Sequence, residues 1–167
     1  MIFLGFSAGL PFLLVFSTLS AWLRDAGVEL TTIGFFSWVG ITYSIKFFWA
    51  PVIDRLPLPL LGHRLGRRRS WMLLAQCVIA FGLAGMAGCD PQTQLGLIAS
   101  YALLVAFGSA TQDITIDAYR IEAMEPRYQG AMAATYVFGY RVALLVAGAG
   151  AFYMAEGQSW SFAYLAM

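Results

Sequence analysis

The sequence predicts an all-α protein that crosses a membrane several times. Hydrophobic residues make up 60% of the 167 residues and charged residues only 11%, whereas a typical soluble domain has about 45–50% and about 25%. A water-soluble domain of this size could not cover so much apolar surface with polar groups. The apolar segments are also about 20 residues long, which suits a helix crossing a bilayer and exceeds the roughly 10 residues of a membrane barrel strand. Lipid is therefore the solvent for most of this chain.

Five segments of the chain have this length, and we expect each of them to form one transmembrane helix. They cover residues 2–23, 32–53, 71–89, 95–118 and 131–155. A sixth apolar segment begins at Trp160 and continues to Met167, so we expect the chain to be part of a larger bundle. Within the first segment, Gly5 and Gly9 have the GxxxG spacing that lets a neighbouring helix approach closely.

Basic residues are concentrated in the connections on one side of the expected membrane. The 55–70 and 119–130 connections hold seven of them, namely Arg55, Arg64, Arg67, Arg68, Arg69, Arg120 and Arg127. The connections on the other side hold only Arg24. Because Lys and Arg are enriched in cytoplasmic connections, we expect these two connections and the N-terminus to face the cytoplasm.

Four ionisable residues lie inside the expected helices, where a charge is costly and is usually functional or paired. Lys46 lies in the second helix, Asp113 and Asp117 lie in the fourth, and Arg141 lies near the middle of the fifth. We therefore expect these three helices to line a shared, water-filled cavity.

Asp113 and Asp117 are four residues apart, so their carboxylates project from one face of a helix. Mutual repulsion in a partly dry cavity favours proton uptake by one of them, which suits a proton-driven process. The alternative is a static network in which they pair with Lys46, Arg120 or Arg141. Lys46 and Arg141 could likewise bind an anionic substrate or act only as counter-ions.

Other classes of function fit the sequence less well. No basic stretch is interleaved with aromatic residues, so we expect no nucleic-acid partner. An intramembrane prenyltransferase would hold magnesium between aspartate-rich helices, but Asp113 and Asp117 form a single pair. We therefore expect neither a metal site nor an enzyme. A sensor built on a transporter scaffold, which binds without transporting, is a further alternative.

The second connection resembles the cytoplasmic loop motif of the major facilitator superfamily, G-x-x-x-D-R-x-G-R-R. It reads Ala50-Pro51-Val52-Ile53-Asp54-Arg55, followed later by Gly66-Arg67-Arg68-Arg69. Ala50 replaces the usual glycine, and residues 56–64 lengthen the loop. The resemblance implies that Asp54 pairs with the other half of the transporter and steadies the outward-open state, with Arg55, Arg67 and Arg68 in the same motif.

Several longer stretches are similar to the AmpG muropeptide permease family and, in part, to the related acetyl-coenzyme A transporters. They are residues 5–11, 21–23, 45–51, 109–114, 117–120 and 139–142. The stretches follow the family's order over essentially the whole chain. The resemblance implies a helical bundle of the major-facilitator type with twelve or more helices, of which this chain would be the N-terminal portion.

The same resemblance implies a function. The family imports anhydro-muropeptides, which are cell-wall fragments with sugar hydroxyls and peptide carboxylates, across the bacterial inner membrane. The proton gradient drives this import, and no cofactor is needed. We therefore expect a monomeric, multi-pass symporter in the lipid bilayer that binds a small-molecule substrate. A carrier of acetyl-coenzyme A or another organic anion is the alternative.

The charge and the depth of each polar residue that matches the family indicate its task. Substrate binding is expected of Lys46, Gln112, Tyr119 and Arg141. Proton coupling is expected of Asp113 and Asp117, with Arg120 as a supporting charge.

Overall fold

A computed structural model describes residues 1–59 and 62–167, and within these residues every regular element is helical. The helices are α1 (Ile2–Val15), α2 (Ser17–Asp25), α3 (Leu30–Phe36), α4 (Ile41–Ser44), α5 (Ala50–Arg55), α6 (Gly62–Leu65), α7 (Arg67–Ala87), α8 (Leu95–Ala123), α9 (Gln129–Leu145), α10 (Ala151–Gly157) and α11 (Trp160–Ala166). Turns of 3-10 helix lie at Ser37–Gly40, Lys46–Phe48 and Pro126–Tyr128, and one π-helical turn, Val146–Gly150, joins α9 to α10. The side chain of Arg64 lies outside the described part of the chain.

Among the described residues, four helical stretches are long and apolar enough to cross a membrane. They are Ile2–Asp25, Arg67–Ala87, Leu95–Ala123 and Pro126–Gly157. They overlap the first, third, fourth and fifth expected helices and confirm an all-α, multi-pass membrane protein. α11 begins at Trp160, where the N–H of Phe162 donates a hydrogen bond to the Ser159 hydroxyl at 3.1 Å.

The second segment differs from the single helix expected over 32–53. It is divided into α3, α4 and α5, and its α-helical hydrogen bonding is interrupted on both sides of the Lys46–Phe48 turn. Pro51 has no N–H to donate to the carbonyl of Phe47, and Gly40 has a low helix propensity. A count of apolar residues cannot predict these local effects on the helix. As a result, Lys46 stands at the start of a 3-10 turn rather than within a helix.

The fourth expected helix extends further than the sequence predicts, because α8 ends at Ala123 rather than at residue 118. Neither glycine nor proline occurs between Ala118 and Pro126, so nothing in the sequence stops the helix where its apolar part ends. Tyr119 and Arg120, which were expected in a connection, are therefore helical.

The first long helix is broken at Phe16, between α1 and α2. Two hydrogen bonds connect the residues around this break to distant parts of the chain, one from a side chain of α11 and one from a side chain of α2 itself. The Tyr164 hydroxyl donates to the carbonyl of Leu14 at 2.6 Å, and the Thr18 hydroxyl donates to the carbonyl of Ala147 in the π-helical turn at 2.9 Å. Both bonds are buried, where an unpaired carbonyl would be costly.

Glycines allow two pairs of helices to pack closely. α7 packs along α8, and α9 packs along α1, which also contacts α8. A side chain at Gly5 would overlap the backbone carbonyl of Tyr136, and one at Gly139 would overlap that of Ile2. On the other pair, a side chain at Gly85 would meet the ring of Tyr101. The expected close approach at Gly5 is therefore made by α9.

The connections meet in two groups at opposite ends of the bundle. At one end, Arg68 binds Asp54 and Glu122, which joins the second connection to the end of α8. At the other end, the Trp160 indole N–H donates to Asp25 at 3.0 Å, and the Gln92 amide donates to the carbonyl of Ala26 at 3.2 Å. This grouping matches the expected alternation of sides. The end that faces the cytoplasm stays a prediction.

Candidate functional site

An ion pair joins the second segment to α8 inside the bundle. The Lys46 ammonium lies 3.7 Å from a carboxylate oxygen of Asp113, and their side chains are 36% and 21% exposed. The broken geometry of the second segment places Lys46 in a tight turn facing α8. A separation of 3.7 Å is a charge contact rather than a tight hydrogen bond, so the pair is compact but open to a competing partner.

Several buried polar atoms on α4 and α8, close in sequence to this pair, have no hydrogen-bond partner among the described residues. Within the described residues they are the Tyr43 hydroxyl, the Ser109 hydroxyl, the side-chain carbonyl of Gln112 and the second carboxylate oxygen of Asp113, all buried. Buried polar groups in folded proteins are almost always hydrogen-bonded, because leaving one unpaired costs about 1–3 kcal/mol. Their concentration on one stretch of α8 and the facing turn is typical of a site that receives water or a polar ligand.

Gln112 links this polar region to α1. Its amide donates a hydrogen bond to the Ser7 hydroxyl at 2.8 Å, and its side chain is almost fully buried. Gln112 and Ser7 also border a mostly apolar cavity of about 320 Å³ among α1, α7, α8 and α11. The expected ligand role of Gln112 would therefore use its carbonyl oxygen, which has no hydrogen-bond partner among the described residues.

Asp117 lies one turn after Asp113 and pairs with a different cation. A guanidinium nitrogen of Arg120 lies 3.4 Å from an Asp117 carboxylate oxygen, and the Asp117 side chain is 53% exposed. The carbon centre of the same guanidinium is 6.0 Å from the ring centre of Tyr136 on α9. Arg120 is thus a bridge between the acidic face of α8 and an aromatic side chain of α9.

Two expected site residues stand apart from the pair. Arg141 is exposed and makes no ion pair within the described residues. Tyr119 borders a cavity of about 500 Å³ near Met1 and Tyr128, at the end of the bundle that carries Arg68. Six residues separate Tyr119 from Asp113, which turns its side chain by about 240° around the helix. Tyr119 therefore lies away from the Lys46–Asp113 pair.

A second charged group lies in the loop motif. Arg68 binds Asp54 at 2.5 Å and Glu122 at 2.6 Å, although its own side chain is only 12% exposed. Arg67 lies 3.7 Å from Glu122, whereas Arg55 is exposed and makes no ion pair among residues 1–59 and 62–167. Sequence reasoning missed Glu122 because it ended the fourth helix at residue 118.

Tyrosines of the site were also missed. Tyr43 on α4 faces Ser109 and Asp113, and the rings of Tyr136 and Tyr140 on α9 have centres 6.3 Å apart. The sequence signal was present, since Tyr43 precedes Lys46 by three residues and the α9 tyrosines are four residues apart. Tyrosines are common in membrane helices, however, and helix packing decides which of them face a polar site.

Comparisons with known proteins cover most of the chain. A family model described as acetyl-coenzyme A transporter 1 matches residues 1–89. A putative transporter AmpG 4 from Rickettsia conorii is 37% identical over 163 residues, which is 96% of this chain and 39% of that relative. An anhydromuropeptide permease from Escherichia coli K12 is 42% identical over 156 residues, covering 93% of this chain and 31% of that relative. The chain therefore spans between about a third and two fifths of the length of these curated relatives.

Proposed function

This chain belongs to the acetyl-coenzyme A transporter family, together with the AmpG-type permeases, and we propose on that premise that it forms the N-terminal helix bundle of a proton-coupled carrier. The proposed substrate is an anhydro-muropeptide, imported across the bacterial inner membrane by a monomer whose N-terminus is cytoplasmic. The relatives are named as transporters and permeases, which leaves the intramembrane enzyme without support.

The Lys46–Asp113 pair is the observation that carries this proposal. Asp113 holds Lys46 by charge while its other oxygen lacks a protein partner. Protonation of Asp113 removes its negative charge and releases Lys46, which is then free to bind a substrate carboxylate. Substrate and proton are thereby coupled, because each favours the state in which the pair is open.

The remaining polar residues have secondary tasks in this proposal. The Gln112 carbonyl accepts a hydrogen bond from the substrate, and Arg141 attracts its carboxylates from the exposed side of α9. Asp117 is a second proton acceptor whose charge Arg120 balances. Tyr119, given its place beside Tyr128, contacts substrate only at the basic end of the bundle.

Alternating access would move two halves of the carrier around this site. The Asp54–Arg68–Glu122 group joins α5, α7 and α8 at one end of the bundle. We assign it the task of keeping these three helices together as one rigid unit during the movement. Arg55 and Arg67, in the same motif, would contact the other half of the carrier or the lipid surface.

Uptake into proteoliposomes tests the proposal. The full-length protein is reconstituted and labelled anhydro-muropeptide is added with an inward proton gradient, with the same gradient after an ionophore, and without a gradient. We expect accumulation above the external concentration only when the gradient is intact. Absence of uptake in all three conditions contradicts the proposed substrate, and accumulation that survives the ionophore contradicts proton coupling.

The name of the matching family model favours acetyl-coenzyme A as a second candidate substrate. The same vesicles test it directly. Gradient-dependent uptake of labelled acetyl-coenzyme A, with none of the muropeptide, would replace the first candidate by the second. Binding of either compound without uptake would identify the sensor alternative.

A further inference from the structure

A pair of tyrosines on α9 borders the proposed substrate site. Tyr136 and Tyr140 lie on one face of the helix, with ring centres 6.3 Å apart and ring planes at 35°. Both side chains are partly exposed. The Arg120 guanidinium lies 6.0 Å from the Tyr136 ring centre and also pairs with Asp117. The rings are therefore beside the face of α8 that carries the two aspartates.

The glycines of α1 explain how the tyrosines reach this position. α1 contacts both α8 and α9, and the backbone of α9 lies directly on Gly5 and Gly9. The ring of Tyr140 also lies against Gly9, at 3.1 Å from the position that a side-chain carbon would occupy. Because α1 has no side chain at either glycine, the rings are brought close to α8 rather than held away from it.

Aromatic rings next to carboxylates form a surface that suits a sugar. One face of a pyranose ring presents C–H groups, which pack on aromatic rings, and its edge presents hydroxyls, which donate hydrogen bonds to carboxylates. Tyr136 and Tyr140 provide the rings, and Asp113 and Asp117 provide the acceptors. We propose that Tyr136 and Tyr140 form a platform for a sugar ring of the substrate, which rests on the proposed muropeptide function.

The charges around the platform favour this ligand over acetyl-coenzyme A. Arg120 is balanced by Asp117, and Lys46 is balanced by Asp113 until that carboxylate takes up a proton. Near the platform, Arg141, the residue after Tyr140, adds a positive charge that makes no ion pair with the described residues. A site with so little net charge suits a neutral ring carrying a few carboxylates, whereas the three phosphate groups of coenzyme A need several cations.

The test separates the sugar part of the substrate from its peptide part. Each part is used to compete with labelled anhydro-muropeptide for uptake by the full-length protein, and binding of the sugar part is measured in detergent by calorimetry. The variants are Tyr136→Leu and Tyr140→Leu, with Tyr136→Phe and Tyr140→Phe to keep the rings. Phe138→Leu is the matched control, since Phe138 lies on the opposite face of α9 and is 62% exposed.

We expect each leucine variant to weaken competition by the sugar part about threefold to tenfold, the usual value of one aromatic contact. Competition by the peptide part should stay within about twofold, and the phenylalanine variants and Phe138→Leu should resemble the wild type. The platform is overturned, even if transport is normal, when the leucine variants weaken competition by both parts equally. It is also overturned when their binding of the sugar part is unchanged. If the wild type binds the sugar part, the leucine variants bind it more weakly and the protein does not transport, the proposed function fails and the platform stands. A wild type that neither binds nor transports refutes both.

Discussion

Lys46 and Asp113 neutralise each other's charge inside the bundle. A single charge in a membrane interior is costly, and it is usually neutralised by a partner or by water. Here the partner is 3.7 Å away and the adjacent hydroxyls of Tyr43 and Ser109 offer further polar contact. The pair is therefore stable enough to persist and loose enough to exchange partners.

Removing one charge of this pair should lower the unfolding free energy more than removing both charges. Lys46→Met leaves the Asp113 carboxylate without its cation and should lower the unfolding free energy by about 1–3 kcal/mol. Adding Asp113→Asn to Lys46→Met should recover at least half of that loss, because no unpaired charge is left. Thermal unfolding of the full-length protein in detergent gives both values. A double variant that is less stable than Lys46→Met would show that the unpaired Asp113 carboxylate does not cause the loss of stability.

At this scale the sequence predicted the charged residues inside the apolar segments together with Gln112, but it missed the tyrosines around them. Lys46, Asp113 and Asp117 are conspicuous because a charge inside an apolar segment needs an explanation. Tyr43 and Tyr136 are not conspicuous, since a tyrosine can face lipid, the interface or a polar site at similar cost. Their roles depend on the rotation of α4 and α9, which the spacing of apolar residues does not determine.

Among the elements, the first long helix depends most on contacts from outside itself. The break at Phe16 interrupts the helix in the middle of the bundle, and the hydroxyls of Tyr164 and Thr18 bind backbone carbonyls near it. These bonds tie α1 and α2 to α11 and to the π-helical turn. The broken helix is thus held by the Tyr164 side chain, which lies 150 residues from Leu14 in sequence, and by its own Thr18 side chain, which binds a carbonyl 129 residues away.

Loss of the Tyr164 hydroxyl should therefore be measurable. Tyr164→Phe leaves the Leu14 carbonyl buried without a donor and should cost about 0.5–2 kcal/mol of stability. Tyr153→Phe is the matched control, because the Tyr153 side chain is 80% exposed and should contribute almost nothing. Unfolding temperatures in detergent compare the two. Equal shifts would mean that the hydrogen bond to Leu14 is of no consequence.

The contact between α1 and α9 should tolerate no side chain at Gly5. Gly5→Ala places a methyl group on the backbone of Tyr136, which cannot move aside as a flexible side chain could, and should cost more than about 2 kcal/mol. Gly130→Ala on α9 meets no atom within 4 Å and should be neutral or slightly stabilising. Expression level and unfolding temperature of the full-length variants report the difference. A Gly5→Ala protein of normal stability would contradict the observed helix contact.

The long helices were predictable from sequence, and the irregular ones were not. Length and apolar content are enough to find α7, α8 and the Pro126–Gly157 stretch, because a bilayer imposes its thickness on them. The division of the second segment follows from local effects at Pro51 and Gly40. The same segment carries Lys46, so the feature that the apolar count missed is the one that positions the candidate site.

For the whole molecule, the ion pairs of Arg68 hold α5 and the end of α8 together at the end of the bundle that carries most of the arginines. Asp54 and Glu122 would repel each other without the arginine between them. The motif in the second connection indicated Asp54 and Arg68 in advance. It did not indicate Glu122, whose position depends on how far α8 continues past the apolar part of its sequence.

Breaking this group should affect movement more than substrate binding. Arg68→Ala leaves two carboxylates facing each other and should reduce the maximal uptake rate about tenfold, with KM changed less than about threefold. Arg127→Ala is the control, because Arg127 pairs with Glu125 in an exposed connection. Initial uptake rates at increasing substrate concentration separate the two constants. A large change in KM alone would instead place Arg68 in the binding site.

The most direct measurement of the coupling mechanism compares accumulation with exchange in Asp113→Asn. The amide has the size of the carboxylate but carries no charge and takes up no proton, so Lys46 is released permanently. We expect the full-length variant to exchange labelled for unlabelled substrate across the vesicle membrane. We also expect it to lose all accumulation driven by the proton gradient. Accumulation at the wild-type level by Asp113→Asn would contradict the assignment of Asp113 as the coupling residue.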